Sequence, residues 1–213
     1  MKTRSRKYVH IEELIAAHDE RKGAIQQRLR EFAAVPREDY FYELVYCLLT
    51  PQSSAQNATK AVEALRRADL FGSEIEPAAL LHQKSFYIRF HNTKGRHLLL
   101  AKEQFWEIMS HLSNGASSQQ LREWLVKNVK GLGWKEAAHF LRNVGHRDLA
   151  ILDRHILRNL KRHGVIKALP TSLTTKKYHT IEKSFARFAE ALNIPMDELD
   201  LLFWSNETGE ILK

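Results

Sequence analysis

The spacing of apolar residues along the chain is helical almost throughout. Ile11, Leu14, Ile15, Ile25, Leu29 and Phe32 share one side of the stretch from His10 to Ala34, which predicts an amphipathic helix, or a helix pair broken near Gly23. Pro36 suits the first turn of a second helix through Tyr40 to Thr50. There Phe41, Leu44, Val45, Cys47, Leu48 and Leu49 predict burial on most sides. Further helical patterns cover 55–70, 93–112, 117–129, 135–144, 154–162, 174–192 and 196–204, and the one candidate strand is 85–90. No internal repeat or low-complexity tract interrupts them. The expected fold class is all-α with two helical lobes. One covers 1–115 and is completed by about 195–213; the other covers 116–194, beginning at the Gly115-Ala116-Ser117-Ser118 turn.

Composition narrows the chemistry. A single cysteine, Cys47, excludes an intramolecular disulfide, an all-cysteine zinc site and a four-cysteine iron-sulfur cluster, and reads as a small buried hydrophobe. Charged residues make up 27% of the chain, and no apolar run approaches membrane-spanning length, so an intracellular protein of the cytoplasm or nucleoid is expected, with no membrane partner. Lys2, Arg4, Arg6 and Lys7 open the chain, but Glu12, Glu13, Asp19 and Glu20 argue against a transit peptide. The net charge of +8 favours a polyanionic partner and fits ribosomal, membrane-surface and DNA-binding proteins alike. Its distribution says more. Nine basic residues face two acidic ones between Asp153 and Arg187, a balance of +7, whereas 188–213 carries −5. A nucleic acid is expected to meet the former stretch, with an acidic tail behind it.

Between two helical patterns lies Val129, Lys130, Gly131, Leu132, Gly133, Trp134, Lys135, Glu136. Two glycines around one apolar residue permit backbone angles closed to other residues, and a helix begins immediately afterwards. Such a hairpin either caps a tight inter-helix turn or offers unpaired N–H groups and the positive end of a helix to a phosphate. Lys135 follows Gly133 by two residues, and Asp153 stands 18 residues beyond Lys135, within Ile151-Leu152-Asp153-Arg154-His155-Ile156. Asp153 also suits the N-cap of the helix over 154–162.

This pairing of an apolar-Gly-apolar-Gly-x-Lys hairpin with an apolar-Asp-x-His segment resembles the helix-hairpin-helix DNA glycosylase superfamily. Leu48-Leu49-Thr50-Pro51-Gln52-Ser53 and Phe90-His91-Asn92-Thr93-Lys94-Gly95 resemble two further stretches of that superfamily, so the likeness runs from about 36 to 165. The run from Lys130 to Gly145, the segment Ala150 to Leu157, and the ending Glu207 to Lys213 are similar to the type-2 8-oxoguanine DNA glycosylases. These are short, lack an iron-sulfur cluster and end in a lysine that contacts the damaged base. The lone cysteine fits that branch and disfavours the endonuclease III relatives.

The resemblance implies a metal-independent and cofactor-free monomer. It takes 8-oxoguanine flipped from double-stranded DNA into a cleft lined by the hairpin, releases the base and cleaves the strand. Another oxidised base, or non-catalytic DNA binding through the same hairpin, are the alternatives. Lys135 is then the nucleophile, and its amine, with an ordinary pKa of about 10.4, must become neutral to react. Asp153 stabilises positive charge on the sugar or moves protons to and from Lys135. Lys130, Gly131, Gly133, Arg154 and His155 are candidate backbone contacts; Arg154 also suits a solvated face, and His155 surface or core packing. For base recognition the candidates are Trp204, Phe90, Gln52 and Lys213. Trp204 and Phe90 also suit the core, Gln52 a cap, and Lys213 rests on the resemblance alone.

Overall fold

The computed structural model describes residues 8–209. Among them are eleven α-helices and a short 3₁₀ turn, Arg37–Asp39. No helix there is long and apolar enough to cross a membrane. The all-α expectation holds. The candidate strand at 85–90 reduces to one antiparallel bridge, His82 to Tyr87.

The chain divides into two compact units. The first combines the described residues of 1–33 with those of 145–213 and contains α1 (Ile11–Ala33), α9 (Arg154–Arg162), α10 (Thr175–Leu192) and α11 (Met196–Thr208). The second, 34–144, contains α2 (Tyr40–Leu49), α3 (Ala55–Arg67), α4 (Pro77–Leu81), α5 (His91–Glu103), α6 (Phe105–Leu112), α7 (Ser118–Asn128) and α8 (Trp134–Asn143). The boundary expected near 115 therefore falls inside the second unit. Gly115, with φ +79, serves the reversal between α6 and α7, and both of those helices, like α7 and α8, pack on each other. A glycine-serine turn marks a change of direction, which two packed helices need as much as two domains do.

In the first unit α11 packs against α1, α9 and α10. Phe203 stacks with Phe185 and with the His163 ring, which in turn stacks on Phe188. Leu14, Ile25, Leu29 and Phe32 form the buried stripe of α1, which runs unbroken through Gly23. Gly23 is solvent-exposed, and a glycine in a helix interior costs only about 1 kcal/mol, less than the burial of a single leucine contributes. Of the five described carboxylates counted as an acidic tail, three are internal, Asp197, Glu198 and Asp200, whereas Glu190 and Glu207 are exposed. Glu198 pairs with His18 at 2.7 Å and accepts from Gln26 at 3.1 Å, while Asp197 accepts the Asp148 N–H at 3.1 Å. Asp197 and Glu198 lie in the first turn of α11, where the helix dipole favours negative charge.

The second unit is built around α2. Every residue from Phe41 to Leu49 is buried, Cys47 completely, as its unbroken apolar run requires. α3, α5 and α8 pack against it. One buried polar bond, from Asn143 Nδ2 to Glu43 Oε2 at 3.0 Å, ties α8 to α2. The pattern over 93–112 is two helices that meet at Gln104, and α4 was not foreseen; Pro77 opens it, and the Glu76 side chain caps the Ala78 N–H.

Candidate active site

Lys135 is the second residue of α8, directly after the hairpin, and Gly133 is the N-cap. Gly131 has φ +95, a conformation that favours glycine, and a Cβ there would stand 2.5 Å from His97 Nδ1 and 3.0 Å from Leu48 Cδ2. The hairpin is thus held against α2 and α5 with no space for a side chain at its tip. Gly131→Ala is expected to destabilise the protein by about 1–3 kcal/mol through backbone strain and this overlap, measured by urea unfolding. An unchanged midpoint would contradict the packing described. Lys130 and Gly131 are exposed, as a phosphate contact requires. Burial lowers the pKa of His97 beneath the hairpin, and the Lys130 and Arg96 charges add to the effect.

The Lys135 side chain is 28% exposed, and its Nζ lies 3.2 Å from Glu136 Oε1. Nearby on α5, the buried Lys94 donates to the Leu49 and Pro51 carbonyls, both at 2.7 Å, and to the Ser53 hydroxyl at 3.2 Å. Burial, and then the charge of Lys135, bring the Lys94 amine down to about 8, while Glu136 opposes that shift. The anchored turn carries Gln52, exposed and left-handed with φ +56. Phe90, 49% exposed with φ +60, sits at the N-cap of α5 with the Arg89 guanidinium 4.9 Å from its ring centre. Asn57 Nδ2, donating to the Tyr87 carbonyl, joins α3 to the segment before Phe90. Two residues singled out for base recognition therefore occupy costly backbone conformations, which cluster where a side chain must be presented.

The remaining described candidates, Asp153, Arg154, His155 and Trp204, lie in the first unit. Asp153 is the N-cap of α9: its Oδ1 accepts the His155 and Ile156 N–H groups at 2.8 Å each. Its Oδ2 accepts from the Trp204 indole at 2.9 Å. Both readings of Asp153 thus have structural room, because the cap uses one oxygen and leaves the other directed at Trp204. Trp204 is half-buried, and its ring centre is 5.5 Å from that of His155. Arg154 is exposed and donates through Nε to His155 Nε2 at 3.1 Å. That bond puts the His155 ring proton on Nδ1, which donates to Glu207 at 3.2 Å. Both imidazole nitrogens are engaged, so Arg154 rather than His155 is the group left to meet a phosphate. Lys213 lies outside the described residues. Among those described, no cluster of three or more His, Cys, Asp or Glu could hold a metal ion.

Two features escaped the sequence reading, the Glu136 contact with Lys135 and the anchoring role of Lys94. The only sequence signal for either was position, an acidic residue beside the key lysine and a lysine on an otherwise apolar helix face.

The sequence profile of the 8-oxoguanine DNA glycosylase family, Ogg-HhH, matches residues 25–194. The chain is 40% identical to the 8-oxoguanine DNA glycosylase/AP lyase of Fusobacterium nucleatum, over 98% of this chain and 100% of the relative. Its fold superimposes with a TM-score of 0.85 on Methanocaldococcus jannaschii 8-oxoguanine glycosylase/lyase, crystallised with a 15mer DNA containing 8-oxoguanine; the two are 33% identical, covering 95% of this chain and 99% of that one. The 8-oxoguanine DNA glycosylase of Thermotoga maritima gives a TM-score of 0.83 at 32% identity, covering 95% and 98%. With its helical architecture, its lysine behind a two-glycine hairpin and a profile match over most of its length, the chain belongs to the 8-oxoguanine DNA glycosylase family.

Proposed function

We propose that the protein excises 8-oxoguanine from duplex DNA and cleaves the strand at the resulting abasic site. The observation that carries this is Lys135, a partly exposed amine at the start of α8, directly behind the hairpin of a chain in this family. The glycosidic bond is out of reach while the nucleotide is stacked, so the base leaves the helix at a cost of a few kcal/mol. The hairpin N–H groups around Gly131 and Gly133, with Lys130 and Arg154, hold the phosphates. His155 supports Arg154. The neutral Lys135 amine attacks C1′, the base departs, and the opened sugar forms a Schiff base whose β-elimination breaks the strand. Asp153 stabilises the positive charge that develops on the sugar. Trp204, Phe90 and Gln52 contact the flipped base or the gap it leaves, and Lys213 takes part in recognising the base. The protein acts as a monomer and needs neither metal nor cofactor.

The test is single-turnover incubation with a duplex carrying one 8-oxoguanine, following base release and strand scission separately. Both products are expected, with an undamaged duplex left intact. Binding without either product would reduce the protein to a DNA-binding module, and activity confined to an oxidised pyrimidine would overturn the substrate.

A further inference from the structure

A lysine nucleophile has to lose a proton before it can act, and in water at neutral pH only about one lysine in a few thousand is neutral. A proton acceptor in contact with the amine holds the ammonium in place at rest and gives its proton a destination when the reaction begins. Glu136 is in contact: its Oε1 is 3.2 Å from Lys135 Nζ. Its other oxygen folds back over the N-cap, where a Cβ on Gly133 would lie 2.9 Å from Oε2. The absence of a side chain at Gly133, whose φ of −92 would suit any residue, thus leaves room for this carboxylate. Glu136 is 15% exposed, so it is shielded from solvent without being sealed. The second amine in the cluster, Lys94, is committed to two carbonyls and a hydroxyl. Glu136 and Lys135 also act electrostatically on the buried Cys47 of α2, together with Glu43 of α2 and Arg142 of α8.

We propose that Glu136 is a further catalytic residue, the base that takes the proton from Lys135. This rests on the function proposed above. In the resting state the carboxylate orients the Lys135 ammonium. One proton passes from Nζ to Oε1, and the freed lone pair forms the bond to C1′. The bond from C1′ to the base nitrogen breaks, and its electron pair leaves with the base. The proton held by Glu136 goes to the departing base, so the carboxylate is regenerated and the positive charge resides on the nitrogen now bonded to the sugar. The same short contact that pairs the two side chains at rest serves as the path of the proton.

The test compares wild type with Glu136→Gln, which keeps the shape and removes the basicity. Single-turnover excision of 8-oxoguanine at pH 7 is expected to fall by about a hundredfold, within the range of lost general-base catalysis, with affinity for the duplex unchanged. The residual rate should then climb roughly tenfold per pH unit above neutrality, since solvent must remove the proton. Formate should restore part of the activity of Glu136→Ala by occupying the space of the missing carboxylate. A Glu136→Gln enzyme as fast as wild type at pH 7, or one that is slow at every pH with no formate rescue in the alanine variant, would overturn the proposal. If wild type itself gives no product, the function proposed above fails instead, so the two failures are distinguishable.

Discussion

Lys135→Gln is expected to lower 8-oxoguanine release by at least about a thousandfold, equivalent to ~4 kcal/mol of barrier, and to abolish the covalent adduct that borohydride traps. No other nucleophile is available at the start of α8 to replace it. Glutamine keeps the polarity and most of the length but has no basic lone pair, so it forms neither the bond to C1′ nor the Schiff base. The fold should survive. The Lys135 side chain is partly exposed and its described contact is the ion pair with Glu136, so stability should change by no more than about 0.5 kcal/mol. A second readout is built in. With one positive neighbour gone, the Lys94 amine, now held down to about 8 by burial and by Lys135, should titrate higher. Borohydride trapping, single-turnover kinetics and a thermal melt on the same preparations check these points. A trapped adduct in the variant would place the nucleophile elsewhere.

Asp153→Asn is expected to do two things at once, and a second substitution separates them. The cap at Oδ1 can be kept by the amide oxygen, whereas the amide nitrogen then faces the Trp204 N–H, a donor against a donor where a carboxylate had accepted at 2.9 Å. Leaving that partner unsatisfied should cost about 1–3 kcal/mol in urea unfolding. Excision should fall about a hundredfold or more, because the neutral amide does not stabilise the developing cation. Adding Trp204→Phe removes the opposed donor. The double variant should recover most of the lost stability and none of the lost activity beyond what Trp204→Phe alone permits. Recovery of both would make Asp153 a structural cap and nothing more.

These two residues were legible because each sits at the start of a helix and their separation along the chain is distinctive. The helices themselves were legible wherever one apolar face meets one core: α2, α8, α9 and α10 lie close to where their periodicity puts them. Periodicity fails where two helices share a continuous pattern. The break at Gln104 carries no glycine or proline, and α4 is too short at five residues to show a period. The Trp204 bond to Asp153 joins positions 51 apart and has no local signature. Glu136 occupies a first helical turn, where an acidic residue is favoured whatever its role, and neither it nor Lys94 carries a local pattern that reports its partner. The negative charge of 188–213 was read as a tail because counting charges ignores burial, yet the acids at the start of α11 lie inside the first unit.

That first unit draws its helices from both ends of the chain, which sets an order of events during synthesis. Residues 34–144 find their partners within their own stretch. α1 leaves the ribosome earlier, but the Glu198 that pairs with its His18 lies 180 positions later. At about 5–20 residues per second, the apolar stripe of Leu14, Ile25, Leu29 and Phe32 waits roughly 10 to 35 seconds for α11. The oldest helix of the nascent chain is therefore among the last to be buried, and its apolar stripe stays open to solvent through that interval.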